Sequence, residues 1–289
     1  MAEETAGPRA SGGGERRKKP GLLDPYFPPF ASPAAGAAFR HPERIDFVIA
    51  GTQKGGTTAL AKFLSEHPGI CIAPGKEVHF FDREPLFLGP HPDYEAYHRA
   101  FPNYRAGQAA GESTPVYMYL PQVAERLAAY NPRMKLVVLL RNPIERAYSH
   151  FIMEKSRNRE PLAFAQAIRR EGARLQGYRE SGNRDGLARH SYVDRGRYAR
   201  QLQNLYRCFP RSQVMLLASE DLSRAHARTL LEIYAFLGVE AVGPPPARQI
   251  LSQSYEPMSP ADRQYLREAY AQEIPALEEM LGRSLANWV

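Results

Sequence analysis

Cysteine is scarce in this chain, and long apolar runs are missing from it. The 289 residues include 2 cysteines, Cys71 and Cys208, which are too few for a disulfide framework and lack the spacing of metal ligands. We expect both to be buried free thiols. The apolar runs fall short of the roughly 18 residues that a membrane span needs, and no apolar signal-peptide core follows Met1. These absences predict a cytoplasmic protein without a membrane span.

Positive charge exceeds negative charge along the chain. Lys and Arg total 38 against 31 for Asp and Glu, which gives a formal net charge of +7. Such a surface attracts nucleotides, acidic glycans and nucleic acids, and charge alone does not choose among them. The short basic run at residues 16–19 is typical of a solubilising tail, with a nucleic-acid-binding arm as the alternative. We therefore expect no specific nucleic-acid partner, and the sequence does not predict an oligomeric state.

Composition divides the chain near residue 42. Residues 1–42 are rich in Gly, Ala, Pro and charge, which predicts a disordered or loosely packed segment, whereas residues 43–289 have the patterning of one α/β domain. Five short apolar segments alternate with helical patterns there, which predicts a central parallel sheet flanked by helices on both faces. The predicted strands are residues 45–50, 70–73, 110–113, 136–140 and 214–218.

Three other segments carry predictions about helices and the acceptor side. Residues 260–281 predict one long helix whose apolar stripe packs on the core. Residues 176–190 are polar without a clear period, which predicts either a lid or a plain surface loop. Six basic residues after position 154 either line an acidic acceptor groove or form a solvated helix face. They are Lys155, Arg157, Arg159, Arg169, Arg170 and Arg174.

Residues 51–60, with the sequence GTQKGGTTAL, form a glycine-rich turn between an apolar strand and a helix start. Glycine lets the backbone bend sharply and approach an anion, and the following helix offers unpaired N–H groups and a positive dipole end. A Walker A loop reads GxxxxGK[ST], but here Thr57 stands where the lysine belongs and Lys54 comes earlier. The segment predicts a P-loop-like phosphate site and disfavours an ordinary ATPase or kinase.

Residues 135–149 repeat the strand-to-helix design. Asn142 is placed to cap the helix, and Pro143 suits its first turn. Nucleotide-hydrolysing folds usually end this strand in an aspartate that helps to hold magnesium, whereas this strand ends in Arg141, which suits a second phosphate. Two anion sites at the carboxyl ends of parallel strands predict a nucleotide with two separate phosphate groups and no metal.

Together, the segments GTQKGGTTAL (51–60) and LRNPIERAYSH (140–150) resemble the sulfotransferases, which use 3′-phosphoadenosine 5′-phosphosulfate (PAPS) as donor. The resemblance covers nearly everything after residue 45. It implies that the 5′-phosphosulfate is bound by Lys54, Gly55, Gly56, Thr57 and Thr58. It implies further that Arg141 and Ser149 bind the 3′-phosphate. The segment KEVHFFD (76–82) is most similar to the heparan sulfate branch, whose glutamate is the catalytic base, here Glu77.

The chain departs from the animal heparan sulfate enzymes at two places. Those enzymes carry a lysine before the Thr-Pro that follows their next strand, where this chain reads ESTP at residues 112–115, so we expect a different acceptor surface. They also carry a basic loop near the C-terminus that closes over the nucleotide, and residues 250–259 do not predict such a clamp. Bacterial or small-molecule sulfotransferases therefore resemble the chain as well as a glycosaminoglycan enzyme does.

The chemistry that the resemblance implies is in-line transfer of a sulfuryl group to an acceptor hydroxyl or amine. Glu77 would take the proton of the attacking group, and Lys54 would stabilise the leaving phosphate oxygen. His79 would lie on the same side of a strand as Glu77 and share this role, although a structural histidine in the core is the interpretation that we favour. An acidic or glycan acceptor suits the charge, but the sequence does not identify the acceptor.

Two other classes of protein stay open at this point. An ATP-dependent phosphotransferase would explain the glycine-rich loop, but it needs magnesium and a Walker lysine. A non-catalytic protein that binds nucleic acids or acidic glycans would explain the charge, but not the two phosphate motifs in this order.

Overall fold

The computed structural model describes residues 41–75, 77–250 and 256–288 of the chain. The strands are β1 (Phe47–Gly51), β2 (Ile70–Ile72), β3 (Ala109–Ser113), β4 (Lys135–Leu140) and β5 (Val214–Ala218). They form a parallel sheet in the order β2-β3-β1-β4-β5. All five predicted strands are confirmed, with ends that differ from the prediction by at most two residues.

Helices follow or separate the strands throughout the described residues. Their bounds are α1 (Thr57–Leu64), α2 (Tyr94–His98), α3 (Pro121–Tyr130), α4 (Pro143–Ser156), α5 (Phe164–Arg169), α6 (Glu171–Glu180), α7 (Arg184–His190), α8 (Tyr198–Cys208), α9 (Ser219–Arg224), α10 (His226–Leu237), α11 (Pro260–Tyr270) and α12 (Glu273–Leu281). Short 3-10 turns occupy Glu84–Phe87, Asp194–Gly196, Arg211–Gln213 and Ala286–Trp288.

The central strand β1 is buried on both faces, because alternate side chains of a strand point to opposite sides of the sheet. Val48 and Ala50 pack in a core with apolar side chains of α3, α8 and α12. Phe47 and Ile49 pack in a second core with apolar side chains of α1 and α10. The predicted α/β architecture, a parallel sheet between two layers of helices, is therefore confirmed.

The order of the strands brings three loops to one edge of the sheet. Strand β1 lies between β3 and β4, so the chain crosses β1 on its way from β3 to β4. In open α/β sheets, ligands bind outside the carboxyl ends of the strands, near such a change of direction. The segments that follow β1, β3 and β4 all begin at this edge, which places both predicted phosphate motifs there.

The prediction of one long C-terminal helix is wrong, because the chain forms α11 and α12 with a break at residues 271–272. Pro275 explains the break. It lacks the N–H that an uninterrupted helix would use, and its ring would clash with the carbonyl oxygen four residues earlier. The apolar stripe is retained across the break, since Leu266 and Tyr270 of α11 and Leu277 of α12 are all buried.

Of the two alternatives for residues 176–190, the plain surface loop is wrong, because most of these residues form the end of α6 and the whole of α7. A role as a lid stays a prediction. Local polar contacts take the place of an apolar stripe. The side chain of Asn183 caps α7 by accepting from the Gly186 N–H at 2.9 Å, and Tyr178 Oη lies 2.8 Å from His190 Nδ1. Short helices without a clear apolar stripe show little of the helical hydrophobic periodicity by which a helix is recognised in a sequence.

The predicted N-terminal segment, including the basic run at 16–19, lies outside the described residues except for positions 41 and 42. Its boundary and its predicted disorder stay predictions. Both cysteines are free thiols, as expected, but only Cys71 is buried and Cys208 is half-buried. Among the described residues, no helix combines the length and apolar character of a membrane span.

Gly111 of β3 gives a direct test of the packing between β3 and β1. It pairs with Phe47, and a Cβ at this position would lie 2.3 to 2.5 Å from atoms of the Phe47 ring. We expect Gly111→Ala to lower the free energy of unfolding by about 1–3 kcal/mol, because the buried ring has to move. Urea unfolding of the variant and the wild type measures this change.

Gly172→Ala serves as the matched control for this substitution. Gly172 lies in α6, and a Cβ there would meet no atom within 4 Å. Alanine favours a helix, so the unfolding midpoint of this variant should equal or exceed that of the wild type. Equal midpoints for the two alanine variants would contradict the account of Gly111.

Candidate active site

Residues 52–56, the glycine loop, connect β1 to α1. The Thr52 N–H donates to Leu139 O at 3.0 Å, and the Gly55 N–H donates to Thr52 O at 2.8 Å. Lys54 and Gly56 have positive φ angles of 70° and 98°, so the chain reverses sharply before the helix begins. Gly56 caps α1 without a side-chain hydrogen bond. The first N–H groups of α1 are therefore not occupied by a capping side chain, which is the arrangement that favours an anion.

Gly55 is required by the closeness of two backbone segments. A Cβ at this position would lie 2.5 Å from Leu139 O and 2.9 Å from Thr52 O, both backbone atoms that cannot easily move. The absence of a side chain therefore lets the glycine loop lie against the end of β4. Thr57 and Thr58 follow as the first residues of α1, with Thr57 buried and Thr58 half-buried.

The second motif, which joins β4 to α4, forms as predicted. Asn142 caps α4, since its Oδ1 accepts from the Ile144 N–H at 2.9 Å, and Pro143 occupies the first turn. Arg141 precedes this cap and donates from Nη1 to Lys54 O at 3.1 Å. Ser149 is buried farther along α4. The structure thus brings Arg141 against the glycine loop, and the backbone carbonyl of Lys54 links the two predicted phosphate motifs.

Residues 77–82, the acidic loop, lie beyond the end of β2 and not in a strand. The φ angles of Glu77 and His79 are 65° and 53°, so the expected strand geometry is wrong. The two side chains nevertheless meet, with 3.2 Å between His79 Nε2 and Glu77 Oε2. The other ring nitrogen, Nδ1, lies 2.6 Å from Asp82 Oδ2. His79 is 28% exposed, so it is not the core histidine that we favoured from the sequence.

The two carboxylates determine the charge of His79. Burial lowers its pKa, but hydrogen bonds and charges from Asp82 and Glu77 outweigh burial and raise the pKa from 6.5 to about 10. His79 is therefore an imidazolium at neutral pH. A cation beside a carboxylate favours the ionised form of that carboxylate and fixes its orientation. The contact with His79 therefore orients the Glu77 carboxylate.

The buried carboxylate of Glu112 supports the acidic loop through hydrogen bonds that involve Thr114. Glu112 is fully buried and accepts hydrogen bonds from Thr114 Oγ1 at 2.5 Å and from Tyr97 Oη at 2.8 Å. The same Thr114 oxygen lies 3.4 Å from the His79 backbone nitrogen, which donates to it. Burial raises the pKa of Glu112, and its hydrogen bonds oppose this shift. Glu112 is thus an internal support and not an exposed group, so whether the acceptor surface differs there stays a prediction.

A cluster of buried basic residues, which the sequence did not predict, lies next to the glycine loop. Arg195 is 1% exposed and donates to Gln53 Oε1 at 2.6 Å, and its guanidinium lies 4.6 Å from the centre of the Tyr119 ring. Burial lowers its pKa to about 10, while the charge of Glu77 opposes this shift. A lone arginine gives no pattern in a sequence, so no signal could have identified this residue.

His150 and Arg146 extend this cluster along α4. Both are fully buried, and Arg146 Nη1 lies 3.5 Å from His150 Nδ1. Burial lowers the pKa of His150 well below its usual value, and the charges of Arg195, Arg146 and Lys54 lower it further. A neutral His150 among three cations makes the region behind the glycine loop strongly positive, which suits an anionic ligand.

Several of the six basic residues after position 154 make contacts within the protein. Arg174 pairs with buried Glu160 at 2.8 Å, and Arg169 pairs with Asp262 at 2.8 Å. Lys155 Nζ donates to backbone oxygens at 3.1 and 3.2 Å. These contacts favour a role in packing over an acceptor groove. Of residues 250–259, positions 251–255 lie outside the described part of the chain, so the question of a nucleotide clamp stays open.

The fold and these loops define a class of α/β proteins with a parallel sheet and two linked strand-to-helix loops at one sheet edge. Residues 44–260 match the family model of the sulfotransferase domain. The chain therefore belongs to the sulfotransferase family, whose members are enzymes that transfer sulfuryl groups. Sulfuryl transfer is thereby favoured over the phosphotransferase and the non-catalytic binding protein that the sequence left open.

Individual relatives agree with this assignment. A mouse heparan sulfate glucosamine 3-O-sulfotransferase 3B1 is 31% identical over 195 residues, which cover 68% of this chain and 46% of the relative. Human heparan sulfate glucosamine 3-O-sulfotransferase 6 is 32% identical over 202 residues, which cover 68% and 52% of the two chains. The chain thus spans about half the length of the curated relatives that it matches.

A solved bacterial structure matches over a larger share of its own length. The crystal structure of a sulfotransferase from Alicyclobacillus acidocaldarius superposes with a TM-score of 0.69 at 30% identity. The match covers 85% of this chain and 98% of that chain. The predicted P-loop-like fold class is therefore confirmed.

The pairing of His79 with two carboxylates predicts an unusually basic histidine. In an NMR titration, the His79 imidazole should lose its proton near pH 10, not near 6.5. Because this pKa is raised in the folded state, the protonated ring stabilises the fold fully below pH 6.5, and the contribution disappears as the pH rises to about 10. Asp82→Asn should lower the pKa by about one unit or more, since it removes the nearer carboxylate.

Asp185→Asn is the control, because Asp185 is an exposed partner of Arg189 on α7 and is not among the residues that contact His79. It should leave the His79 titration unchanged. A wild-type His79 that titrates near 6.5 would show that the three side chains do not form the described pairs in solution.

Proposed function

We propose that this protein transfers a sulfuryl group from PAPS to a hydroxyl or amine of an acidic or glycan acceptor, with Glu77 as the base. The observation that carries the proposal is the hydrogen bond from Arg141 to the Lys54 carbonyl, which joins the two phosphate motifs. A donor with a 5′-phosphosulfate and a 3′-phosphate needs two neighbouring anion sites. The family to which the chain belongs supports the same donor.

The residues of the glycine loop suit the sulfated phosphate of this donor. The start of α1 offers backbone N–H groups that no capping side chain occupies, and Gly55 lets the loop that leads to them lie against the end of β4. We assign the 5′-phosphosulfate to Lys54, Gly55, Gly56, Thr57 and Thr58. The 3′-phosphate is assigned to the guanidinium of Arg141 and the hydroxyl of Ser149. Bound there, the donor would supply an activated sulfuryl group on a phosphate leaving group.

Side chains of this chain meet two demands of the transfer, and a third side chain orients the glycine loop. Glu77 takes the proton from the attacking hydroxyl or amine, and the His79 imidazolium at 3.2 Å keeps its carboxylate ionised and oriented. The Lys54 ammonium stabilises the negative charge that develops on the leaving phosphate oxygen. Arg195 orients the glycine loop through its contact with Gln53, at 2.6 Å. These contacts involve side chains and backbone groups, and no metal ligand has a role in the proposal.

The acceptor class is the part of the proposal that rests on relatives. The two relatives described above are named for heparan sulfate glucosamine, and a net charge of +7 favours an acidic polymer. We therefore propose an acidic glycan as the acceptor, with transfer to oxygen or nitrogen left for the assay to decide. A cytoplasmic location stays a prediction.

Glu77→Gln tests the base directly. We expect this variant to bind 3′,5′-adenosine bisphosphate as the wild type does and to lose at least about a hundredfold in transfer rate, because an amide cannot accept the proton. The assay uses radiolabelled PAPS with heparan sulfate, unsulfated heparosan and a simple phenol as acceptors. Glu125→Gln, an exposed carboxylate on α3, is the control and should keep full activity. Transfer by Glu77→Gln within threefold of wild type would remove Glu77 from this role.

Arg141→Ala tests the 3′-phosphate site. Loss of the guanidinium should weaken binding of 3′,5′-adenosine bisphosphate by roughly tenfold to a hundredfold, since charge-assisted hydrogen bonds to phosphate contribute about 1.5–3 kcal/mol. Adenosine 5′-phosphosulfate, which lacks the 3′-phosphate, should bind the variant and the wild type alike. Titration calorimetry measures both ligands, with Arg133→Ala, an exposed arginine before β4, as the control. Equal loss for both ligands would mean that Arg141 does not read the 3′-phosphate.

A further inference from the structure

Two histidines and a glutamate meet at a site away from the glycine loop. Glu95 and His98 are three residues apart on α2, so they lie on one face of the helix. His41, in the segment before β1, approaches them, with 3.1 Å between its Nε2 and Glu95 Oε2. One ligand atom from each of the three residues lies within 4.8 Å of the others. The rings of His41 and His98 are adjacent, with centroids 5.7 Å apart.

We propose that His41, Glu95 and His98 bind one Zn²⁺ ion and thereby fasten the segment before β1 to α2. Two imidazole nitrogens and one carboxylate oxygen are a donor set that zinc accepts, with water in the fourth position. Zinc bonds of about 2.0–2.1 Å place tetrahedral ligand atoms roughly 3.3 Å apart. The contact between His41 and Glu95 already has about this separation, at 3.1 Å, and the ligand atom of His98 lies within 4.8 Å of both.

The hydrogen bonding of His98 supports a ligand at its other nitrogen. Nε2 lies 2.7 Å from Tyr130 Oη, and that oxygen accepts from the Ile45 N–H at 2.8 Å. Within the described residues, Nδ1 is buried and has no hydrogen-bond partner. His98 as a whole is also buried, with 5% of its surface exposed. If Nε2–H donates to the phenol oxygen, Nδ1 presents its lone pair, which a metal ion satisfies. Metal-bound histidines commonly donate their second N–H in this way.

The contacts of α2 with neighbouring residues give the proposed zinc site a structural role. Tyr97 lies next to His98 on α2 and donates to Glu112 at 2.8 Å, and Glu112 supports the acidic loop through Thr114. An ion that holds α2 in place would therefore stabilise the support beneath Glu77 without touching the reacting groups. This revises our expectation from the sequence that the protein needs no metal, and it does not depend on the proposed function.

The alternative interpretation is a simple ion pair between His41 and Glu95. The Glu95 side chain is 67% exposed, and pairs at such positions contribute little to stability. An ion pair needs no contribution from His98 and binds no cation. The two interpretations therefore differ in whether His98 and Glu95 act together on a metal ion.

Metal titration of the full chain distinguishes them. The chain is prepared without a histidine tag, stripped with a chelator and titrated with Zn²⁺ by calorimetry and with Co²⁺ by visible absorbance. We expect one equivalent to bind, and Zn²⁺ at a hundredfold excess over its dissociation constant to raise the melting temperature by about 5–10 °C. Glu95→Gln and His98→Gln should each weaken binding at least about tenfold and remove most of the shift.

Glu125→Gln is the control for these variants and should bind Zn²⁺ as the wild type does. Glu95→Gln changes an exposed side chain, so it tests the site even if His98→Gln fails to fold. Absence of saturable binding at one equivalent would overturn the proposal. Binding that survives both Glu95→Gln and a folded His98→Gln would do the same, because the ion would then lie elsewhere.

Discussion

The contact between the glycine loop and the end of β4 is the constraint on which the candidate site depends. Gly55 lies so close to Leu139 O that a Cβ would stand 2.5 Å from it, and the Thr52 N–H bonds to the same oxygen at 3.0 Å. This closeness places the start of α1 beside Arg141, whose guanidinium reaches the Lys54 carbonyl. The two proposed phosphate sites are adjacent because two strand ends are packed together without an intervening side chain.

A second constraint acts on the acidic loop, which belongs to no helix or strand. The buried carboxylate of Glu112 holds this loop in place through Thr114. Glu77 and His79 both have left-handed backbone angles, which cost energy for residues other than glycine. Thr114, bonded to Glu112, holds the backbone of His79, and Asp82 holds its ring. These hydrogen bonds maintain the strained backbone of the acidic loop. Glu77 therefore lies beside a protonated imidazole at the edge of the sheet.

The parts of this structure with a strong local pattern were predictable from the sequence. Five apolar strands and the cap formed by Asn142 and Pro143 were confirmed, because burial and capping require particular residues at particular spacings. The break before α12 depends on one proline within a helical pattern, and α7 depends on polar contacts, so both were missed. Arg195 contacts Gln53, which is distant in the chain, and Glu112 joins Thr114 to Tyr97 of another element, so no local pattern encodes either role. The roles of Lys54 and Glu77 came from resemblance and stay predictions.

Thermal unfolding with 3′,5′-adenosine bisphosphate tests the paired anion site most directly, because it needs neither an acceptor nor turnover. At a hundredfold excess over its dissociation constant, the bisphosphate should stabilise the fold by about 2.7 kcal/mol, a shift of several degrees. Adenosine 5′-monophosphate, with one phosphate, should give a smaller shift at the same concentration. A shift with ATP and magnesium but none with the bisphosphate would contradict the account and point to phosphoryl transfer.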